Sequence, residues 1–269
     1  MWSAWNAWSR AASVTYQRTR EMSSSRTPTH SAAFLADGPA RDPRFRVAAR
    51  WSECANFPDG DPLHEVEFFH RQMNEEVDSL ECCARNLSDF PDEDWEMRLG
   101  LARQCADEAR HAAMFRRIFE SRGGRVGQFP VMNIQYPILA NIRSLVGRMA
   151  VQNRCFEAGG LDAIKFAIEA AQQQGNDELV DLYQAQHADE IVHVRFANYW
   201  IHAATRKDPR AVLQIGAALN MASKAYLWVI GPEGSPGASF PADIDGRKEA
   251  GFSESEVRMA IELQLHPAR

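Results

Sequence analysis

Two hexapeptides of this chain carry its most reactive residue types: Ala106-Asp107-Glu108-Ala109-Arg110-His111 and Ala188-Asp189-Glu190-Ile191-Val192-His193. In each, a carboxylate and an imidazole stand three residues apart, so on a helix both project from one face and can grip one metal ion. Two further acids share the register. Glu76 precedes Glu108 by 32 residues and Glu157 precedes Glu190 by 33, so each half of the chain reads as a lone Glu followed by Asp-Glu-x-x-His. A di-metal carboxylate site in a helical bundle takes one Glu from each of two helices and one Glu-x-x-His from each of two others. Glu76, Glu108, His111, Glu157, Glu190 and His193 supply that set, as metal ligands and thereby as the catalytic residues. Carboxylate oxygens balance and bridge two cations, while one imidazole per metal leaves coordination positions open.

A Glu-x-x-His pair alone is weak evidence, and the chain contains a third, Glu67-Phe68-Phe69-His70, without a matching partner. It is expected to face outward in a surface or structural role. Glu75 adjoins Glu76, and the apolar stripe chooses between them. Val66, Phe69, Met73, Leu80, Cys83 and Leu87 fall on a 3-4 spacing that contains Glu76, whereas Glu75 points ~100° away. Gln72, Asp78 and Ser79 share the Glu75 side and suggest that it faces solvent.

The elements that must position these ligands are helices. Helix one runs from about Leu63 to Leu87. Helix two starts where Pro91 is followed by Asp92, Glu93 and Asp94, and stops at Gly123-Gly124. A linker of about fifteen residues with Pro130 and Pro137 precedes helix three, about Leu139 to Gln174, closed by Gly175; Asn176 caps helix four, which reaches about Thr205. A thirty-residue helix is ~45 Å long and fifteen extended residues span ~50 Å, so the linker can cross a bundle end to end. The other two joints are only a few residues long and force antiparallel hairpins. The expectation is an all-α, ferritin-like four-helix bundle over 61–206, two hairpins joined by a long crossover. An irregular N-terminal extension, partly disordered, occupies 1–60. Additional C-terminal helices occupy 207–269 and pack on the bundle: one from Asp208-Pro209 to about Trp228, and one from the capping box Ser253-x-x-Glu256.

Bulk properties narrow the function. A net charge of −6 offers no electrostatic footprint for nucleic acid or an anionic membrane, and no run of 18 apolar residues occurs. Five cysteines without a CxxC pair fit neither a disulfide framework nor a zinc ribbon, and point to a reducing, cytoplasmic setting. Trp2, Trp5 and Trp8 stand at helical spacing beside several arginines, a pattern read as a poorly ordered extension rather than a targeting segment.

The run Asp107-Glu108-x-Arg110-His111 is similar to the D-E-x-R-H signature of ferritin-like di-iron carboxylate oxidases and oxygenases. More narrowly, Glu76 through Phe90-Pro91-Asp92, Glu157-Ala-Gly-Gly-Leu-Asp162, Asp189-Glu-Ile-Val-His-Val194 and Ala250-Gly-Phe-Ser253 resemble a bacterial ferritin-like family of unassigned function. The resemblance covers about residues 60 to 260. It implies two iron ions, Fe/Fe or Fe/Mn, and places Asp107 and Asp189 behind the ligand histidines, where a carboxylate on the distal ring nitrogen fixes the tautomer. Arg110 would pair with this outer layer, yet Val192 replaces it in the second copy, so the two metals differ in environment.

Gly159-Gly160 follow Glu157 in mid-helix, at a cost of roughly 1 kcal/mol each relative to alanine, which indicates either a pocket beside the metals or close helix packing. Asn153, one turn before Glu157, can hydrogen-bond a bound water. Tyr183 either relays an electron or is structural, and Cys105 and Cys155 read as packing.

The leading expectation is an oxidoreductase that activates O2 or peroxide to oxidise or hydroxylate a small organic substrate, with an electron donor and no membrane partner. A homodimer is compatible with it. The alternatives are a ferroxidase or other iron-handling protein, and a tRNA-nucleoside hydroxylase, against which the acidic balance argues.

Overall fold

The computed structural model describes residues 43–231 and 240–265, with side chains up to 262. The Trp2, Trp5 and Trp8 pattern and the rest of 1–42 lie outside the described residues. The fold is an all-α helical bundle fold, as the periodicity predicts. The described chain falls into two compact units, one formed by 43–142 and 224–231, the other by 143–223 and 240–265.

The first unit is built on the hairpin of α1 (His64–Asp89) and α2 (Trp95–Ser121). Asp94 caps α2, its carboxylate accepting from the Glu96 N–H. The turn between the helices is closed by Arg98, whose guanidinium donates to the Leu87 and Phe90 carbonyls left over at the end of α1. Before α1, the strand β1 (Val47–Ala48) pairs in parallel with β2 (Val131–Met132), and a short helix α3 (Gln135–Ala140) follows. Gly127 sits at φ 78° with the Arg44 carbonyl where a Cβ would go, so this turn requires glycine.

The second unit holds the other long hairpin. Its first arm is composite: α4 (Leu145–Val151), a π-helical segment (Gln152–Glu157) and α5 (Ala158–Gln173). This corrects the expected start at Leu139. Leu139 belongs to α3, and Ser144, in extended conformation, opens the new helix by accepting from the Gly147 N–H. The second arm, α6 (Asp177–Lys207), is capped by Asn176, with acids in its first turn and Arg206 and Lys207 in its last, as the helix dipole favours.

Helix α7 (Ala211–Ile230) has its residues to Ser223 in the second unit and the rest in the first. The sequence reading missed a short helix, α8 (Ile244–Glu249), capped by Asp243. The last helix, α9 (Glu254–Leu265), opens with the expected capping box: Ser253 Oγ accepts from the Glu256 N–H, and Glu256 returns a carboxylate to the Ser253 N–H. Ala250, Phe252 and Val257 form one apolar cluster with Ala158, Leu161, Ile191 and Val194 of α5 and α6.

Candidate metal centre

In the first unit, Glu76 in mid-α1 meets Glu108 and His111 of α2. All three are buried. His111 Nδ1 lies 3.3 Å from Glu76 Oε2 and 3.6 Å from Glu108 Oε2. Gln104, one turn earlier on α2, donates its amide to Glu108 Oε1 at 3.3 Å.

In the second unit, Glu157 closes the π segment and faces Glu190 and His193 of α6, again all buried. His193 Nδ1 lies 3.5 Å from Glu190 Oε2. Asn153 Nδ2 donates to Glu157 Oε2 at 2.6 Å and reaches the His193 carbonyl at 3.5 Å. Asn153 thus holds a candidate ligand directly.

Within each triad the candidate ligand atoms lie within 4.8 Å of one another. Donors bound ~2.1 Å from one ion at near-octahedral to tetrahedral angles stand ~3.0–3.4 Å apart, and the three histidine–carboxylate separations of 3.3, 3.6 and 3.5 Å are close to that spacing. Burying two carboxylates beside one imidazole costs several kcal/mol per charge unless a cation compensates, and a bound metal supplies one. Each triad is therefore a buried Glu/Glu/His group that could hold a metal ion.

The other predicted residues fall as follows. Asp107 accepts from Arg110 Nη2 at 2.9 Å and lies 3.4 Å from Arg103 Nε, both on its own helix. The corresponding positions in α6 are Ala185 and Val192, so half-buried Asp189 has no such pair of cations on its own helix. Gly160 is buried, yet a Cβ built on it would meet nothing within 4 Å, which favours open space over tight packing at this glycine. Tyr183 is buried in α6. Burial pushes the Cys155 thiol up to about 12, as expected of packing, whereas a hydrogen bond from Cys83 lowers that of half-buried Cys105.

Two readings of α1 need correction. Glu75 does not face solvent: it is buried, accepts from Gln72 Nε2 at 3.0 Å and lies 3.6 Å from Arg71. Burial nevertheless raises its carboxyl pKa above the ordinary range. The outward-facing Glu67–His70 pair is also buried, Glu67 against Arg71 and His70 among Phe45, Phe119 and Phe129, with its Nε2 accepting from the Gly127 N–H. For His70 and Asp78 the cause is the segment after α2, which His70 meets at Gly127 and which Asp78 binds by accepting from the Ile134, Gln135 and Tyr136 N–H groups. Glu67, Arg71 and Glu75 lie beside Trp51 and Cys54 of the segment before α1.

Sequence reasoning missed two buried glutamines. The repeat extends upstream to Gln104-x-Ala-Asp-Glu-x-x-His111 and Gln186-x-Ala-Asp-Glu-x-x-His193, so an amide stands one turn ahead of each Glu. Comparing two more positions of the repeat would have found them. The π segment has no such signal.

A helical protein with two matched, buried Glu/Glu/His triads is the class that fold and site define. The chain belongs to the family described as "Protein of unknown function (DUF455)", whose sequence model matches residues 5–258. No curated protein and no solved structure matches the chain.

Proposed function

We propose that the two triads together hold two iron ions (Fe/Fe or Fe/Mn), and that the protein is an oxidoreductase using O2 or peroxide to oxidise or hydroxylate a small organic substrate. The observation that carries the reading is the matched pair of buried Glu/Glu/His groups, each with Nδ1 of its histidine set against carboxylate oxygens. A single structural ion gives no reason for the duplication.

When bound, two iron ions supply the one-electron steps by which O2 or peroxide is reduced. The chain supplies the rest. Glu76, Glu108 and His111 hold one ion and Glu157, Glu190 and His193 the other. Gln104 and Asn153 hold Glu108 and Glu157 in fixed rotamers, which keeps the ligand set arranged before the metal arrives. Each histidine presents Nδ1 to its triad, leaving Nε2 to carry the ring proton, and we assign Asp107 and Asp189 to that proton. Burial of the six side chains keeps bulk water from the ligands. The open space at Gly160, one turn past Glu157, is where a small substrate would sit.

The test is oxygen consumption by the anaerobically reduced, iron-loaded protein, with and without small organic candidates and with RNA as a separate arm. Substrate-dependent oxygen uptake with an oxidised small-molecule product is the expected result. Rapid stoichiometric oxidation of added Fe(II) followed by mineral growth overturns the reading in favour of iron handling.

A further inference from the structure

The two triads are braced by different parts of the chain. Next to Glu76, Asp78 ties α1 to the segment that precedes α3. Next to Glu157, the brace is the C-terminal segment. Buried Arg247 of α8 spans the first turn of α5: Nη2 donates to the Ala158 carbonyl at 2.9 Å and to Asp162 Oδ2 at 2.8 Å, and Nε donates to Asp162 Oδ1 at 3.0 Å. The same Asp162 oxygen accepts from the Asp243 N–H. Arg154, inside the π segment, is paired with Glu256 of α9, and Phe252 lies under both guanidinium groups at 4.9 and 5.6 Å.

The second arm of the hairpin is tied to the same segment. Asn198 donates to the Ala250 carbonyl, Arg195 to the Glu249 carbonyl and carboxylate, and His187 shares a 2.6 Å hydrogen bond with Asp243. These residues flank Glu190 and His193, and the apolar cluster contains the immediate neighbours of three ligands: Ala158, Ile191 and Val194. A π turn is less stable than the α-helix it interrupts and persists where its surroundings over-determine it. Here Arg154 anchors it from within and Arg247 anchors the turn that follows it.

We propose that Arg247 is a positioning residue for the Glu157–Glu190–His193 triad: by fixing the turn that follows the π segment, the C-terminal segment sets the affinity of that triad's ion more than that of the ion held through Glu76 and His111. The inference rests on the two-ion reading above. Both the guanidinium fork and its bidentate carboxylate are needed, because a lysine cannot reach the carbonyl and both Asp162 oxygens at once.

The experiment titrates the full-length chain with Fe(II) under argon and records Mössbauer spectra and amide hydrogen exchange. Wild type is expected to bind two ions. Arg247→Met is expected to keep one at wild-type affinity and weaken the other at least tenfold, with faster exchange over residues 152–162. Its single-ion spectrum should match that of Glu157→Ala and differ from that of Glu76→Ala. Arg247→Lys should recover part of the lost affinity. Should Arg247→Met fail to fold, Glu256→Gln, which weakens the Arg154 pairing while keeping an amide oxygen for the Ser253 cap, is expected to weaken the same ion. Folded variants that hold both ions as wild type does, or that lose both equally, overturn the proposal. A wild-type chain that binds no iron fails earlier, at the reading of the site itself, and takes this inference with it.

Discussion

Asn153 and Glu157 are joined by a 2.6 Å hydrogen bond inside the π segment, and the same amide reaches the His193 carbonyl on the facing helix. One carboxamide therefore sets the rotamer of a candidate ligand and links the two arms of its hairpin. Replacing it with leucine keeps the volume and removes the donor. Metal affinity of the Glu157 triad should fall 10–100-fold, as measured by competition with a chelator. Unchanged affinity would detach Asn153 from the site.

Gly160 offers a prediction of opposite sign. Its Cβ position is open and its backbone is helical, so Gly160→Ala should raise stability by about 1 kcal/mol in urea unfolding. A larger side chain, as in Gly160→Leu, fills the proposed substrate space. It should leave iron content unchanged and abolish substrate-dependent oxygen uptake.

Asp78 accepts three backbone N–H bonds at 2.8, 2.8 and 3.0 Å. Asp78→Ala leaves those buried donors without their acceptor, at about 1–3 kcal/mol each, so the variant should lose at least ~3 kcal/mol of stability. A loss below 1 kcal/mol would mean that this segment does not depend on α1.

His70 sets a pH dependence. Burial lowers its pKa to about 4, and protonating Nε2 would break its bond from the Gly127 N–H. The unfolded chain takes up that proton near pH 6.5 while the folded chain resists it. Its contribution is therefore complete above pH 6.5 and is lost as pH falls from there toward 4. Urea midpoints of His70→Gln should vary less over this window than those of wild type, and parallel curves would refute the assignment.

How much was legible in advance varies with the kind of signal. The six residues of the two triads were readable as candidates because the register of the two halves repeats, which set Glu108 and Glu190 apart from the pair at Glu67. Helix ends with side-chain caps, Asn176 and Ser253, were readable for the same local reason. The burial of Glu67, His70, Glu75 and Asp78 was not. For His70 and Asp78 it depends on a segment about sixty residues away in sequence, and for Glu67 and Glu75 on the irregular stretch before α1, each folding onto a polar face, and periodicity carries no information about that. The π turn escaped for a different reason: over six residues, helical and π-helical spacing of buried positions cannot be told apart. Gln104 and Gln186 were within reach of the repeat that identified the ligands.

The central claim is that each triad binds a metal ion, and elemental analysis of the purified chain tests it most directly. Wild type loaded with Fe(II) and freed of excess metal should retain two irons per chain, and Glu108→Ala and His193→Ala should each retain no more than one while remaining helical. Iron content unchanged in both variants, or absent from wild type, would contradict the account.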